Sequence, residues 1–172
     1  LMPGDRFSFN GFIGQRTKEA GFKPAGAYLN GYVVDEVGGG ICQVSSTLYY
    51  VSMLAQMETV ERTCHYFPVD YIPPGLDATV SWPDTDFKFE NCREYPVMVV
   101  SKCDTKAKTI TIEIWGTDTD GSYVELTYGV GTWVDEEYPE VAVGKTAVSY
   151  RVYYDKDGNK IKTERESYSA YH

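Results

Sequence analysis

The stretch Gly38–Tyr49 reads GGGICQVSSTLY, and its pattern decides how the surrounding chain folds. Three consecutive glycines are followed by a run that contains neither proline nor glycine, and apolar residues recur in this run at spacings of three and four. That period predicts an amphipathic helix over about residues 41–58, with Cys42 in its first turn. The first N–H groups of a helix are unpaired and carry partial positive charge, which stabilises a thiolate. The sequence therefore presents Cys42 as a candidate nucleophile.

A cysteine at the start of a helix has two interpretations. A buried cysteine is often only a small apolar side chain, whereas a cysteine that glycines deliver to a helix N-terminus has the environment of a reactive thiol. The glycine run favours the second interpretation, because glycine permits backbone angles and close approaches that a side chain forbids. We expect Gly39 and Gly40 to shape an oxyanion loop, in which the backbone N–H groups of Cys42 and its neighbour face a substrate.

Ser45 and Ser46 are alternative nucleophiles. Both lie within the predicted helix, where serine hydroxyls usually bond to backbone carbonyls. We therefore rank serine chemistry below cysteine chemistry. Both serines stay candidates for orienting the site or binding substrate, as does Gln43 beside the cysteine.

His65 is the only histidine inside the chain, since the other, His172, is the last residue. A cysteine nucleophile needs an imidazole within hydrogen-bond reach and a third group that holds the ring. We expect the strand after the helix to carry His65 back to Cys42. A structural histidine packed in the core is the alternative. The candidate orienting groups are a backbone carbonyl or one of three aspartates, Asp70, Asp77 and Asp86.

Arg62 precedes His65 by three residues and also has two interpretations. A guanidinium binds a carboxylate through two parallel hydrogen bonds, so Arg62 is a candidate anchor for a substrate carboxylate. An exposed surface arginine without such a role is the slightly favoured alternative. Tyr66 and Trp82 are candidate walls of a substrate groove, although aromatic residues near a core usually belong to it.

The composition excludes some classes of function. The chain has 172 residues, a formal net charge of −9 and 15 tyrosines. An acidic chain lacks the basic surface that grips a nucleic-acid backbone, so we expect no nucleic-acid partner. No apolar run approaches the length of a membrane span, and the opening Leu1-Met2-Pro3 indicates an excised fragment, with any membrane anchor outside it.

The cysteines match no metal-binding spacing, and we therefore expect neither a metal nor a cofactor. An even count permits disulfides. Pairing of Cys64 with Cys92 or Cys103 stays open beside free thiols.

Composition and turn signals predict an α+β fold. Aromatic and β-branched residues favour strands, and we expect a mostly antiparallel sheet packed around one main helix at about residues 41–58. Hairpins are predicted around Asp104–Lys108 and around Asp155–Asn159, where Asp-Gly lies between strand-like runs. A shift toward Gly, Thr and Asp near residue 116 divides the chain into a catalytic domain over 1–116 and a small all-β module over 117–172.

Several motifs closely resemble the VanW domain family. They occur in the family's order and are Pro3–Asn10 (PGDRFSFN), Gly38–Tyr49, Glu61–His65 (ERTCH), Pro68–Val80 (PVDYIPPGLDATV) and Asp86–Asn91 (DFKFEN). The resemblance covers about residues 1–116, and the tail, especially Val141–Tyr168, is more loosely similar to a G5-type β module. One position departs from the family, in which a serine is expected where Tyr66 follows the histidine here.

The resemblance implies an enzyme that faces the bacterial cell wall. The family is named after vancomycin resistance clusters, and members in Gram-positive bacteria are linked to peptidoglycan L,D-transpeptidase activity with the motif cysteine as nucleophile. The expected partners are therefore peptidoglycan stem peptides, and the expected nucleophile and acid/base group are Cys42 and His65. The expected location is extracellular, at the cell wall or the outer face of the cytoplasmic membrane.

Two other functions stay open beside L,D-transpeptidation. One is a Cys/His peptidase or amidase that hydrolyses the same stems, as NlpC-like enzymes do. The other is a non-catalytic cell-wall-binding domain in which Cys42 is structural. The choice between water and an amine as acceptor is not encoded in any local motif.

Overall fold

A computed structural model describes residues 1–29, 32–138 and 142–172 of the chain. Its elements, in chain order, are β1 (Arg6–Ser8), α1 (Phe9–Ile13), β2 (Pro24–Leu29), β3 (Tyr32–Val37), α2 (Ile41–Leu54), β4 (Glu58–Glu61), β5 (Lys88–Glu90), β6 (Met98–Asp104), β7 (Thr109–Trp115), β8 (Tyr123–Val134), β9 (Ala142–Tyr154) and β10 (Lys160–Tyr171). Neither described helix has the length and apolar character that crossing a membrane requires.

The main helix begins where the sequence predicts and ends earlier. α2 starts directly after the glycine run, which places Cys42 in its first turn. It ends at Leu54 rather than near residue 58, because Gln56 adopts the left-handed region with φ of 60° and cannot continue a right-handed helix. Residues Glu58–Glu61, at the predicted end of the helix and just after it, form β4 instead, which pairs with β5.

The described strands form four small antiparallel sheets, with the orders β1-β5-β4, β10-β9-β8, β2-β3 and β6-β7. The expectation of one sheet packed around a single main helix is therefore wrong. Residues 62–87 contain several prolines and turns and form only one isolated bridge, so they separate the strands instead of joining them into one ladder.

The core lies between α2 and the three-stranded sheet β1-β5-β4. Leu48, Tyr49 and Met53 on the helix belong to the same buried cluster as Phe87 and Phe89, the latter on β5. The ring of Tyr49 meets that of Phe87 edge-on at 5.4 Å. Burial of large side chains of this kind contributes about 1.5–3 kcal/mol each, which fixes the helix that carries Cys42.

Both predicted hairpins are confirmed. β6 and β7 pair from Met98 with Trp115 to Asp104 with Thr109. β9 and β10 are joined by the turn at residues 155–159, where the Asp155 carboxylate accepts the backbone N–H of Asn159 at 2.8 Å. Hairpins of this kind are set by local turn chemistry, which is why their sequence signal was sufficient.

The C-terminal sheet β10-β9-β8 packs on the rest of the chain through buried polar contacts. Arg151 on β9 forms an ion pair with Glu166 on β10 and donates to the carbonyl of Met57 at 2.6 Å. Glu166 also accepts hydrogen bonds from the hydroxyls of Tyr49 and Thr59, at 3.2 and 2.7 Å. Removing one partner of a buried ion pair costs about 3–5 kcal/mol, so this attachment is strong. The division of the chain near residue 116 stays a prediction.

Candidate active site

The glycine run brings the start of α2 against the β2–β3 hairpin. Gly39 needs the absence of a side chain, since a Cβ on it would lie 2.1 Å from the carbonyl oxygen of Ala25 on β2. Gly40 is the N-cap of α2 and has φ of 82°, a left-handed conformation that glycine adopts without strain. The hairpin and the helix therefore meet at a distance that other residues would prevent.

Cys42 lies half-buried at the first turn of α2 and opens onto a groove of about 640 Å³. The N–H groups of Ile41 and Gln43 donate to the carbonyls of Gly38 and Gly40. The N–H of Cys42 between them has no backbone partner outside the helix among the described residues. It is thus a donor available to a negative charge that forms beside the sulfur, as an oxyanion hole requires.

One wall of the groove is the extended segment that follows Asp77, and the two helix serines hold it. Ser45 donates to the carbonyl of Ala78 at 2.6 Å, and Ser46 accepts the N–H of Ala78 at 2.9 Å. Both serines are fully buried. This placement fits a structural role and does not fit a nucleophile or a substrate contact. The Cys42 thiol donates to the carbonyl of Val80 in the same segment at 3.4 Å.

His65 and Asp77 form a tightly coupled pair. Nδ1 of His65 lies 2.7 Å from Oδ2 of Asp77, and the backbone N–H of His65 donates to the same oxygen at 2.7 Å. His65 does not lie on a strand as expected, because β4 ends at Glu61. The irregular segments around the two residues are joined by a hydrogen bond from the N–H of Thr79 to the carbonyl of Thr63 at 2.8 Å.

The Asp77 carboxylate is buried and has a complete set of hydrogen-bond donors. Its Oδ1 accepts from Nη2 of Arg62 at 2.9 Å and from the hydroxyl of Tyr171 at 2.6 Å. Burial alone raises the pKa of a carboxyl group, but the donors on His65, the Arg62 guanidinium and Tyr171 hold the pKa of Asp77 at about 2. Asp77 is therefore an ionised group of fixed orientation.

The imidazole of His65 is charged at neutral pH. Burial lowers its pKa, but the hydrogen bond with Asp77 and the proximity of Cys42 outweigh burial and raise the pKa to about 9. With Nδ1 on Asp77, Nε2 remains on the groove side, where the Tyr71 hydroxyl lies 3.3 Å away. Cys42 and His65 line the same groove, and Cys42 is near enough to the imidazole to contribute to the raised pKa of His65.

Arg62 fits neither of its predicted roles. Its side chain is 5% exposed, so it is neither a surface arginine nor a groove residue that meets a substrate. Nε and Nη2 donate to the carbonyl and the carboxylate of Asp77, and Nη1 donates to Ser169 at 2.7 Å. Arg62 instead lies on the far side of Asp77 from His65 and holds that carboxylate.

The other predicted site residues divide between the groove and other parts of the fold. Gln43 and Asp70 are exposed and line the groove, as does Trp82. Asp86 accepts hydrogen bonds from Ser8 and from the N–H of Asn10, and it is not a partner of His65. Tyr66 is exposed and stacks on the ring of His172.

Three residues near the site were not assigned there from the sequence: Arg16, Tyr71 and Tyr171. Arg16 lines the groove and donates to Asn10 at 2.7 Å, while its Nε and Nη1 are buried without a partner in the described chain. Burial lowers the pKa of Arg16, while negative charge on Cys42 and Asp86 raises it. A lone arginine in a loop carries no sequence signal, because its relation to Cys42 depends on the tertiary fold.

The side chains at the groove are of the types used in acid/base and nucleophilic chemistry. All four cysteines of the chain are free thiols. Across the described ranges, no cluster of three or more His, Cys, Asp or Glu side chains has the arrangement of a metal site. What the residues assemble is a thiol at a helix start, an imidazolium and a buried carboxylate beside one groove.

Comparison with known proteins gives a consistent result. Residues 1–115 match the family model described as VanW like protein. The chain is 44% identical over 102 residues to an uncharacterized protein, YoaR, of Bacillus subtilis, a match that covers 59% of this chain and 34% of the relative. It is 32% identical over 97 residues to the vancomycin B-type resistance protein VanW of Enterococcus faecalis, covering 53% and 35%. The chain thus spans about a third of the length of these relatives. No solved structure matches significantly.

Proposed function

The chain belongs to the VanW-like protein family, and from this premise we propose that it is a cysteine-dependent L,D-transpeptidase of peptidoglycan. The observation that carries the proposal is the hydrogen-bonded pair of His65 and Asp77 beside the Cys42 thiol, at the wall of an open groove. A cysteine that serves only as a small apolar side chain needs no charged imidazole and no buried carboxylate next to it.

A role at the cell wall has support from the relatives. One of them is named for vancomycin resistance, and residues 1–115 of this chain match the VanW-like family model. Since each relative is about three times as long as the matched segment, the partners of the whole protein are part of the proposal. We assign the site to stem peptides of peptidoglycan, outside the cytoplasmic membrane.

In the first step the thiol proton lies on His65, and the Cys42 thiolate attacks the carbonyl carbon of the third-position diamino acid in a donor tetrapeptide. The N–H of Cys42 donates to the oxyanion that forms. The amide bond to the terminal D-alanine breaks, and the His65 imidazolium gives its proton to the leaving amine. A thioester between Cys42 and the donor stem remains, and the imidazole is neutral.

In the second step the side-chain amine of an acceptor stem attacks the thioester. Neutral His65 takes a proton from that amine, the new amide bond forms, and the bond to the Cys42 sulfur breaks. The thiolate and imidazolium are regenerated, and the product is a 3-3 cross-link. Asp77 acts in both steps by fixing the ring and stabilising its charged form.

The groove lining carries charges of both signs. Glu36 and Asp70 are acidic, whereas Arg16 and the His65 imidazolium are cationic. The carboxylates can contact the amine of an acceptor stem, and the cations can contact the carboxylates of a stem peptide.

The test is to incubate the purified protein with disaccharide tetrapeptides and to analyse the products by mass spectrometry. Transpeptidation predicts cross-linked dimers with release of D-alanine, together with a thioester adduct on the peptide that contains Cys42. Replacement of Cys42 by alanine is expected to abolish both products. Cys103→Ala is the matched control, since Cys103 is an exposed free thiol on β6, and it is expected to retain full activity.

Other outcomes point to other functions. Shortened stems without dimers would replace the transferase with a Cys/His peptidase. Unchanged stems that nevertheless bind the protein would leave a non-catalytic wall-binding domain. Dimer formation by the Cys42→Ala variant would show that the nucleophile is a different residue.

A further inference from the structure

We propose that Tyr171, near the end of the last strand, is a positioning residue for the His65–Asp77 pair, so that the C-terminal sheet completes the active site. The role goes beyond the matched family domain, which ends at residue 115. It rests on the proposed function only in that His65 is taken as the acid/base group.

The Tyr171 side chain links the last strand directly to Asp77. Its hydroxyl donates to Oδ1 of Asp77 at 2.6 Å and accepts the N–H of Gly75 at 2.6 Å. The side chain is 1% exposed. A buried hydroxyl with one acceptor and one donor at these distances has a single orientation, and it fixes the carboxylate oxygen that it contacts.

Ser169, two residues earlier on β10, makes a second link to the same carboxylate. It accepts a hydrogen bond from Nη1 of Arg62 at 2.7 Å, and the Arg62 guanidinium donates to Asp77. Residues two apart on a strand share a face, which explains why Ser169 and Tyr171 both point at the site. Two side chains on one face of β10 therefore hold the Asp77 carboxylate, Tyr171 directly and Ser169 through Arg62.

The docking of β10 and β9 on this region has further contacts. Ser167 donates to the carbonyl of Gly75 at 3.2 Å. A Cβ on Gly75 would lie 3.2 Å from the Cβ of Ala147 on β9, so the sheet closely approaches the loop before Asp77. The contact is thus a packed interface in which Tyr171 is one of several fixed groups.

The chemistry of this arrangement is that of a constrained carboxylate. Oδ2 of Asp77 serves His65, and Oδ1 is occupied by Tyr171 and Arg62, so rotation of the carboxyl group would break all of these bonds. Burial and the neighbouring Asp77 raise the pKa of Tyr171 to about 12, which keeps its hydroxyl a proton donor at every physiological pH. Without the hydroxyl, the Asp77 carboxylate loses one of the hydrogen bonds that fix its orientation, and the N–H of Gly75 loses its acceptor.

The test compares Tyr171→Phe with Tyr168→Phe. Tyr168 lies on the same strand but is 60% exposed, so it is the matched control. We expect Tyr171→Phe to lower kcat by about tenfold, with KM unchanged, which is the low end of the loss seen when an outer hydrogen-bond partner is removed from a metal–histidine site. We also expect the Nδ1 proton and ring nitrogen NMR signals of His65 to shift, and Tyr168→Phe to change neither.

A purely structural role for Tyr171 gives a different result. In that case Tyr171→Phe lowers the melting temperature only. If kcat, measured at a temperature at which the variant is folded, and the NMR signals of His65 equal those of the unaltered protein, the proposal is overturned. If Tyr171→Phe does not fold, Ser169→Ala is used in its place, with a smaller change in the same two readouts expected. The NMR signals need no turnover, so they still decide the role of Tyr171 if the unaltered protein forms no cross-links and the proposed function fails.

Discussion

The backbone N–H and the ring Nδ1 of His65 both lie 2.7 Å from the same oxygen of Asp77. One carboxylate oxygen therefore fixes the main chain and the side chain of the histidine together. Because the ring cannot rotate without leaving this oxygen, its Nε2 is held toward the groove that contains Cys42.

The first prediction concerns the charge of Asp77. Asp77→Asn keeps the shape of the side chain but removes the negative charge that stabilises the imidazolium, and it allows the wrong tautomer of His65. We expect kcat for cross-linking to fall by about 10⁴-fold, as in a serine protease whose triad aspartate is replaced by asparagine. Asp84→Asn, in an exposed turn, is the control and is expected to leave kcat unchanged. Equal activity of both variants would remove Asp77 from the mechanism.

The second prediction concerns pH and the charge of His65. The pKa of His65 is raised from 6.5 to about 9, so its contribution to stability is complete below about pH 6.5 and is lost as pH rises through about 9. The transferase activity is expected to fall over the same upper range, because a neutral imidazole has no proton for the leaving amine. Melting temperatures from about pH 2 to about 10, and initial rates from about pH 6 to about 10, measure both effects.

The acid limb of the same curve reports on Asp77. The pKa of Asp77 is lowered from 3.8 to about 2, so the stability it contributes is present above 3.8 and is lost as pH falls through about 2. His65→Gln is expected to flatten the alkaline limb and to leave most of the acid limb, since Arg62 and Tyr171 still hold the carboxylate. An alkaline limb that survives in His65→Gln would contradict the assignment.

The third prediction concerns Arg16 as a cation beside the groove. Its guanidinium is near enough to Cys42 to interact with a thiolate there, and two of its nitrogens are buried without a partner among the described residues. Arg16→Met is expected to slow alkylation of Cys42 by iodoacetamide about threefold at neutral pH, because a nearby charge in a solvent-accessible groove contributes about 1 kcal/mol or less. Lys18→Met, at an exposed position, is expected to leave the rate unchanged. Equal rates in the two variants would contradict the prediction.

The fourth prediction concerns the contact of Gly39 with Ala25. A Cβ at Gly39 would lie 2.1 Å from the Ala25 carbonyl oxygen, so Gly39→Ala forces the β2–β3 hairpin away from the start of α2. We expect a loss of about 3 kcal/mol in the free energy of unfolding, measured in urea, together with loss of activity. At Gly129 on β8 a Cβ meets nothing within 4 Å, and Gly129→Ala is expected to change stability by less than about 1 kcal/mol.

The sequence predicts those parts of the fold that depend on near neighbours. The start of α2, the place of Cys42 in its first turn and the hairpin at residues 155–159 all follow from glycine positions and apolar spacing. The predicted end of the helix was wrong, because nothing in the side chain of Gln56 indicates that its backbone adopts the left-handed region. The prediction of a single sheet was wrong, because the pairing of short strands depends on distant segments of the chain and not on the pattern within each strand.

The candidate site divides in the same way. Cys42 and His65 are identifiable because one has an unusual neighbourhood and the other is the only interior histidine. Asp77 was one of three equal candidates, since the choice depends on which carboxylate the fold carries to the ring. The burial of Arg62 behind Asp77 and the contact of Tyr171 are tertiary relations that no window of sequence contains.

The link between Tyr171 and Asp77 also sets an order in time. The two residues are 94 positions apart, and a ribosome makes the chain from its N-terminus at about 5–20 residues per second. For several seconds after Asp77 leaves the ribosome, its carboxylate therefore lacks the hydroxyl that will hold it. In this interval a nascent chain carries the His65–Asp77 pair with one hydrogen bond fewer, and the proposed site is complete only when β10 has docked.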